Sequence, residues 1–247
     1  MCSILSGCGR AGRTTLQPSA RISPPPIVDG ETSVYEWTQD SVLLGYRQVT
    51  INRIQTKIPA FQIITVDRFF EHLKVNTNSF QTESTIVTVS RDDLTPQASI
   101  FVPAANDSLL GVGTSYQDYT ARIITRTRRG DIENRIPFGI LSYDIYQMPI
   151  LCRSVKILQQ DLPLHILVII PFTTPPGGMS ELAEISIGKT DTVTVPAGTF
   201  ECEQVIVKLP EFEEVYLIEK LGARQVIQYF NKQSGRKLSL ISHRIKN

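Results

Sequence analysis

The chain has 247 residues, of which 41% are apolar and 20% charged, as is ordinary for a globular protein. Its 25 basic and 24 acidic residues leave a net charge of +1, so no charge excess points to nucleic acid or an anionic surface as the main partner. No run reaches the ~20 apolar residues of a membrane-spanning helix. All-β folds often reach this length as one domain.

The chain opens on Leu5-Ser6-Gly7-Cys8, the form of a lipobox: an aliphatic residue, two small residues, then cysteine. In bacterial lipoproteins the leader is cut before that cysteine, whose thiol then carries a diacylglycerol. Met1–Gly7 is shorter than a secretory signal, so this reading requires a start codon further upstream; L-x-G-C also arises by chance. Residues 9–26 are polar, Pro-rich and unpatterned, as suits a tether. The expected organisation is a lipobox-like start and tether over residues 1–28, then a single β-rich domain over 29–247.

Strand patterns follow in meander spacing. Ser33–Thr38 alternates and carries Tyr35 and Trp37. Val42–Ile54, Ala60–Phe70, Ser84–Ser90 and Gln97–Val102 are rich in β-branched and aromatic residues and are separated by turn residues. Gly111-Val112-Gly113 lacks the context of a phosphate loop. Tyr116–Arg129 reads as one long strand with Arg122, Arg126 and Arg128 on one face. That row is either an anion or partner face or a solvated edge that discourages pairing, with Glu211, Glu213 and Glu214 as available counter-charges.

Leu141–Leu158 is the best helix candidate, with Tyr143, Tyr146, Ile150 and Arg153 at helical spacing and Ser142 as a candidate N-cap. Pro149 argues against one uninterrupted helix. A short helical segment near 142–158 could cover the mouth of a curled sheet. Leu162–Phe172 is apolar on both parities and reads as a strand buried on both faces or lining an apolar cavity. His165 within it reads as a core residue. Tyr143, Tyr146, Leu164, Ile166 and Val168 are the candidate ligand-lining side chains. Thr173–Ser180 is a loop rich enough in glycine and proline to form a mobile lip.

Thr190–Leu209 is a hairpin about Val195-Pro196-Ala197-Gly198: Pro196 ends the first strand, and Gly198 supplies a backbone position free to take positive φ. Strands over Glu214–Lys220, Arg224–Asn231 and Arg236–Ile245 close the chain. Cys152 and Cys202 lack C-x-x-C spacing and a His cluster, which speaks against zinc. They are either a disulfide of an exported protein or two buried thiols. No G-x-S-x-G, H-E-x-x-H or other catalytic constellation is present, and no cofactor or metal site is expected.

Three segments carry a resemblance: V-P-A-G-T-F-E-C with the valine-rich strand after it, Tyr143-Asp144-Ile145-Tyr146 leading into Arg153, and Tyr229-Phe230 followed after a short turn by Arg236-Lys237-Leu238. In order and spacing they resemble the family known as domain of unknown function 3108. Phe230 stands near a place where that family commonly has Trp. The resemblance spans about residues 29–245 and implies a bacterial, exported, often lipid-anchored protein; it carries no activity. The expected fold is mainly β: a long antiparallel meander forming a strongly curved sheet or open barrel, with one short helical segment. The expected role is non-enzymatic binding of a hydrophobic small molecule or envelope component, outside the cytoplasm (periplasm or cell surface), the chain held to the membrane by lipid anchor only. The alternative is a structural or assembly module that binds an envelope protein through a sheet edge or the arginine face.

Overall fold

The computed structural model describes residues 24–70, 80–105, 108–155 and 163–246. Cys8, most of the proposed tether and the last residues of the 142–158 segment lie outside them. The chain forms one 15-stranded curved sheet. The first eight strands are β1 (Glu31–Gln39), β2 (Val42–Ile54), β3 (Ala60–Phe70), β4 (Phe80–Ser90), β5 (Pro96–Val102), β6 (Leu109–Gln117), β7 (Thr120–Thr127) and β8 (Gly130–Pro137). After a short strand β9 (Ser142–Asp144), a 3-10 turn (Ile145–Gln147) and helix α1 (Met148–Ser154) come β10 (Leu164–Ile170), β11 (Met179–Val195), β12 (Gly198–Lys208), β13 (Glu213–Glu219), β14 (Val226–Asn231) and β15 (Arg236–Arg244).

The order across the sheet is β8 to β1, then β15 down to β9. Every neighbouring pair is antiparallel except β9–β10, which are parallel and joined through the 3-10 turn and α1. The β1–β15 pairing brings the two ends of the described chain together at the centre of the sheet, with Thr32 opposite Arg244 and Gln39 opposite Arg236.

The alternation of each strand sets its inner face. In β1, Glu31, Ser33, Tyr35 and Trp37 are buried while Thr32, Val34, Glu36 and Thr38 are half-buried. In β7, Ala121, Ile123 and Thr125 point inward while Arg122 and Arg126 are exposed. Buried side chains bear on the interior of the curve from both arms, and α1 fills part of it. Met148 and Ile150 to Ser154 are all buried.

The two edges of the sheet are β8 and β9, and side chains, with no ladder among the described residues, close a seam between the β5–β8 arm and the β9–β10 arm. Asn134 on β8 donates to the carbonyl of Gly177 at 2.7 Å. Tyr116 on β6 donates to the Asp144 carboxyl on β9 at 2.5 Å. A second apolar cluster joins Phe101, Val112, Ala121, Ile123 and Ile136 of the β5–β8 arm to Ile169 of β10. The loop from Thr173 to Gly178 packs on this seam: a Cβ on Gly178 (φ +68°) would stand 2.4 Å from Ile123 Cδ1. The loop is thus part of the closure, not a lip over the interior.

Two sequence expectations change. The strand expected over Tyr116–Arg129 is the end of β6, a two-residue turn and β7. Asp118 and Tyr119 both have positive φ, 48° and 56°, the geometry of a tight primed hairpin turn. Asp-Tyr lacks the glycine that usually marks such a turn, so the break carries no sequence signal. The helical segment begins later than Ser142: Ser142 to Asp144 pair with β10, and Asp144, not Ser142, caps the 3-10 turn. Pro149 sits in the first turn of α1, where its missing N–H costs nothing.

Candidate functional site

A cavity of about 250 Å³ lies inside the curve, between α1 with its 3-10 turn and the inner faces of β1–β5 and β13–β15. The inward row of β1 forms one wall and places Glu31, Ser33, Tyr35 and Trp37 along it. Neighbouring strands add Arg47, Val49 and Ile51 from β2 and Ile63, Thr65 and Asp67 from β3. The helix contributes Pro149, Ile150 and Arg153.

Two ion pairs sit at the cavity wall. Near the start of β1, Arg153 Nη1 donates to Glu31 Oε1 at 2.5 Å, and Arg153 Nη2 reaches the Ala223 carbonyl at 2.9 Å. The side chains of that pair are 4% and 2% exposed. Near the end of β1, Arg47 makes a two-pronged contact with Asp67, Nε to Oδ1 and Nη2 to Oδ2, each 2.8 Å. The Arg47 guanidinium lies over the Trp37 ring at 4.7 Å, and Trp37 Nε1 donates to Asp67 Oδ1 at 2.7 Å. Burial alone would lower the Arg47 pKa, but the charge and hydrogen bonds of Asp67 outweigh it and hold it above its ordinary value. Arg47 stays charged, and that end of the cavity is internally neutralised.

Two further carboxyls line the wall with no cation in contact among the described residues. Glu214 on β13 accepts from the hydroxyls of Tyr216 at 2.7 Å and Tyr229 at 2.8 Å. Burial pushes its pKa up, against the pull of those hydroxyls and of Arg47. Glu83 on β4 is also raised, first by burial and then by the charge of Asp67. Rings complete the lining: Tyr216 and Tyr229 are 5.0 Å apart, and Tyr229 meets Trp37 edge-on at 6.1 Å. The arrangement offers flat apolar walls, two closed ion pairs and tyrosine hydroxyls. The hydroxyl of the lining residue Ser33 lies 3.1 Å from His243 Nδ1, and among the described residues no group of three or more His, Cys, Asp and Glu could hold a metal ion.

Of the side chains expected to line a ligand site, Tyr146 does line the cavity. Tyr143, Leu164, Ile166 and Val168 do not; all four are packed into the main apolar core. The strand of the last three, β10, packs against both clusters, so its apolarity reflects packing on both faces. His165 is a correction in the other direction. It is exposed, with its Nε2 3.6 Å from Glu184. Arg122 and Arg126 lie on the outer face, and their counter-charges come from the adjacent strand β8: Glu133 at 2.6 Å and Asp131 at 3.7 Å. Arg128 is exposed in the β7–β8 turn. The acidic run after Pro210 is engaged elsewhere, Glu213 with Lys232 and Glu214 inside the cavity.

Cys152 and Cys202 are free thiols, both fully buried, and not a disulfide. Cys152 is on α1, inside the curve. Cys202 is three residues from Val205, which is opposite the inward Tyr216, so Cys202 projects from the other face of the sheet. The sheet itself separates the two sulfurs. Burial pushes both thiols up, Cys202 to about 11, so neither is a reactive thiolate.

The lining residues that the sequence reading missed are Glu31, Arg47, Asp67, Glu83, Arg153, Glu214, Tyr216 and Tyr229. The available signal was parity: charged residues share a strand face with aromatic ones in β1 and β13.

No family model and no curated protein matches the chain. Among solved structures, it is similar over 90% of its length to the whole of a β-barrel-like protein of domain of unknown function DUF1849 from Brucella abortus, with a TM-score of 0.61 and 9% identity. Two looser overlays also cover 90% of the chain at 8% identity. One is a protein from Bacteroides fragilis described as exported with a YmcC-like fold, TM-score 0.36 and 99% of that chain covered. The other is a protein from Parabacteroides distasonis described as a lipoprotein, TM-score 0.38 and 99% covered. Overlays that loose establish no shared fold. No helix among the described residues is long and apolar enough to cross a membrane. The likeness to the Brucella protein is one of fold alone: a large, strongly curved sheet that is not closed.

Proposed function

We propose that this chain is a non-enzymatic binding domain that works outside the cytoplasm and holds a small, mainly apolar molecule in the cavity between α1 and the concave sheet. The observation that carries it is the cavity itself: an aromatic-walled space of about 250 Å³ left open in an otherwise packed interior. That volume lies just below the ~300 Å³ at which ligand pockets usually begin. It suits a small ligand or one segment of a longer one. The lipobox-like Leu5–Cys8 and the resemblance to the domain of unknown function 3108 family support export and anchoring through Cys8.

The test is a titration of the full chain with N-phenyl-1-naphthylamine, whose emission rises in apolar surroundings. Saturable enhancement is expected. The substitution Val49→Phe, which adds a ring to the cavity wall, should weaken it by at least about tenfold by filling the space. An absent enhancement, or one indifferent to Val49→Phe, sinks the cavity reading. The anchor is tested separately by N-terminal mass spectrometry of the protein from its own host, where Cys8 should carry lipid; an unmodified Met1 removes the anchor and leaves the cavity reading standing.

A second reading has one observation behind it. β8 ends the sheet and is exposed from Gly130 to Arg135, so its free side could pair with an envelope protein. The arginines beside it are already matched by Glu133 and Asp131, which favours the cavity as the functional feature.

A further inference from the structure

The strand order gathers a set of apolar side chains at one end of the sheet. The end where β1 starts also carries the β2–β3, β6–β7, β8–β9 and β13–β14 connections and the end of β15. Each of these segments exposes a large apolar residue: Val28 before β1, then Ile58, Tyr119, Ile140, Leu221 and Ile245. Among the described residues, Tyr119, Ile140 and Leu221 are the most exposed large hydrophobic side chains, at 77%, 73% and 71%. Single exposed apolar residues are ordinary, but a set gathered on one surface marks an interaction site. The turns Asp40-Ser41, Arg128-Arg129 and Lys232-Gln233-Ser234-Gly235 at the opposite end are polar. Phe172, exposed at that end, lies against the Phe101 ring, with centroids 5.1 Å apart.

Backbone contacts hold these segments together as a rim. Arg53 Nη2 donates to the Ile27 carbonyl at 3.2 Å, and the Arg53 N–H donates to Asp29 Oδ1 at 2.6 Å. A Cβ on Gly30 would stand 3.0 Å from Lys246 Cβ, so the entry of the chain into β1 lies against its exit from β15. The Arg91 N–H donates to the Pro59 carbonyl at 3.0 Å, and the Phe138 N–H donates to the Tyr119 carbonyl at 2.9 Å, which joins the Tyr119 turn to the Ile140 loop. Arg53, Lys57, Arg244 and Lys246 are all exposed around the same entry, with Asp29 beside them. Residues 1–23 join the domain at this end. Residues 9–23 span at most about 50 Å, so a lipid on Cys8 would bring a bilayer to the end that carries the apolar tips.

We propose that this end of the sheet is a docking face for an anionic phospholipid bilayer. Ile58, Tyr119, Ile140 and Leu221 enter the boundary between head groups and acyl chains, while Arg53, Lys57, Arg244 and Lys246 meet the lipid phosphates. Apolar side chains beside basic ones are the pattern of interfacial binding: burial of the tips supplies the hold, and the basic residues supply attraction to anionic lipid. The face serves whether or not the cavity holds a ligand. From the anchor reading above it takes only the direction from which a bilayer would approach.

The test is flotation of the full chain, carrying Cys8→Ser so that no lipid is attached, with vesicles of equal parts phosphatidylglycerol and phosphatidylcholine. The chain should float with them, and should bind vesicles of phosphatidylcholine alone at least about tenfold more weakly. The double variant Ile140→Asn with Leu221→Asn should weaken binding to the mixed vesicles at least about tenfold. Tyr119→Asn, which suits the positive φ of 56° at that turn, should weaken it from a separate loop. Leu182→Thr removes a side chain 61% exposed but within β11, and should leave binding unchanged. Failure of the Cys8→Ser chain to float overturns the docking face, as does binding that the tip variants leave intact or that Leu182→Thr weakens equally. Equal binding to both kinds of vesicle overturns the role of the basic residues. Self-association without vesicles that the tip variants abolish makes the face an interface between copies and overturns the bilayer assignment. None of these outcomes bears on the cavity, which the dye titration reads, or on the Cys8 lipid, which mass spectrometry reads.

Discussion

Glu31→Ala is expected to destabilise the protein by about 3–5 kcal/mol, the usual cost of removing one partner of a fully buried ion pair. For a chain of this size that corresponds to a fall in Tm of roughly 10 °C. The cost comes less from lost attraction than from what remains. Arg153 would keep its charge at a position only 3% exposed, with the Ala223 carbonyl as its main partner. Glu31 also accepts from the Val28 backbone N–H, which would lose that contact. The pair joins β1, at the centre of the sheet, to α1, 122 residues away in sequence, so its loss loosens the helix that bounds the cavity. The double change Glu31→Met with Arg153→Met should recover most of the loss, because neither charge is then left alone. Urea denaturation of the wild type, both single variants and the double variant measures the coupling. Single variants whose effects simply add to the double would show that the pair is not the stabilising unit.

Asp144→Ala is expected to cost about 3 kcal/mol or more, from the loss of a helix cap together with a buried donor left unpaired. Asp144 is fully buried, accepts from the Tyr146 N–H at 2.8 Å and from the Tyr116 hydroxyl at 2.5 Å, and so ties β6 to the start of the helical segment across the seam. Burial holds its carboxyl above the ordinary 3.8, despite the hydrogen bonds that lower it. The folded protein therefore binds a proton that the unfolded chain has already released. The contribution of Asp144 is fully present below that ordinary value and declines as pH rises through the raised one. Chemical denaturation at a series of pH values should show a smaller decline for Asp144→Ala than for wild type. A cost below about 1 kcal/mol would mean that water replaces the carboxylate and that the seam is held by apolar contact alone.

Much of the fold was legible because most pairings are between neighbours in sequence, and alternation reads them well. β2 and β3 lie where their patterns place them, and the Pro196–Ala197 turn joins β11 to β12 as expected. The failures have physical causes. Asp118-Tyr119 forms a tight turn with no glycine, so β6 and β7 read as one strand. The candidate site was largely hidden because its inner face is not apolar. Parity shows that Glu31, Ser33, Tyr35 and Trp37 share a side, but a charged residue in such a row usually marks the solvent side. Only the three-dimensional pairing of Glu31 with Arg153 and of Arg47 with Asp67 makes an inward charge affordable, and neither pairing is local. The apolar run at β10 drew the ligand expectation instead, yet it is apolar because it is packed on both sides.

The strand order also bears on how the chain finds its fold. Apart from β1–β15, each strand pairs with one adjacent to it in sequence, so two meanders grow outward, β1 to β8 and β9 to β15, and a single long-range pairing unites them. Joining the ends beside Thr32 and Arg244 and opening the chain in the β8–β9 connection would turn that pairing into a hairpin. The permuted chain would have every antiparallel pair local, a lower contact order and, by the general dependence of rate on topology, faster folding to the same sheet.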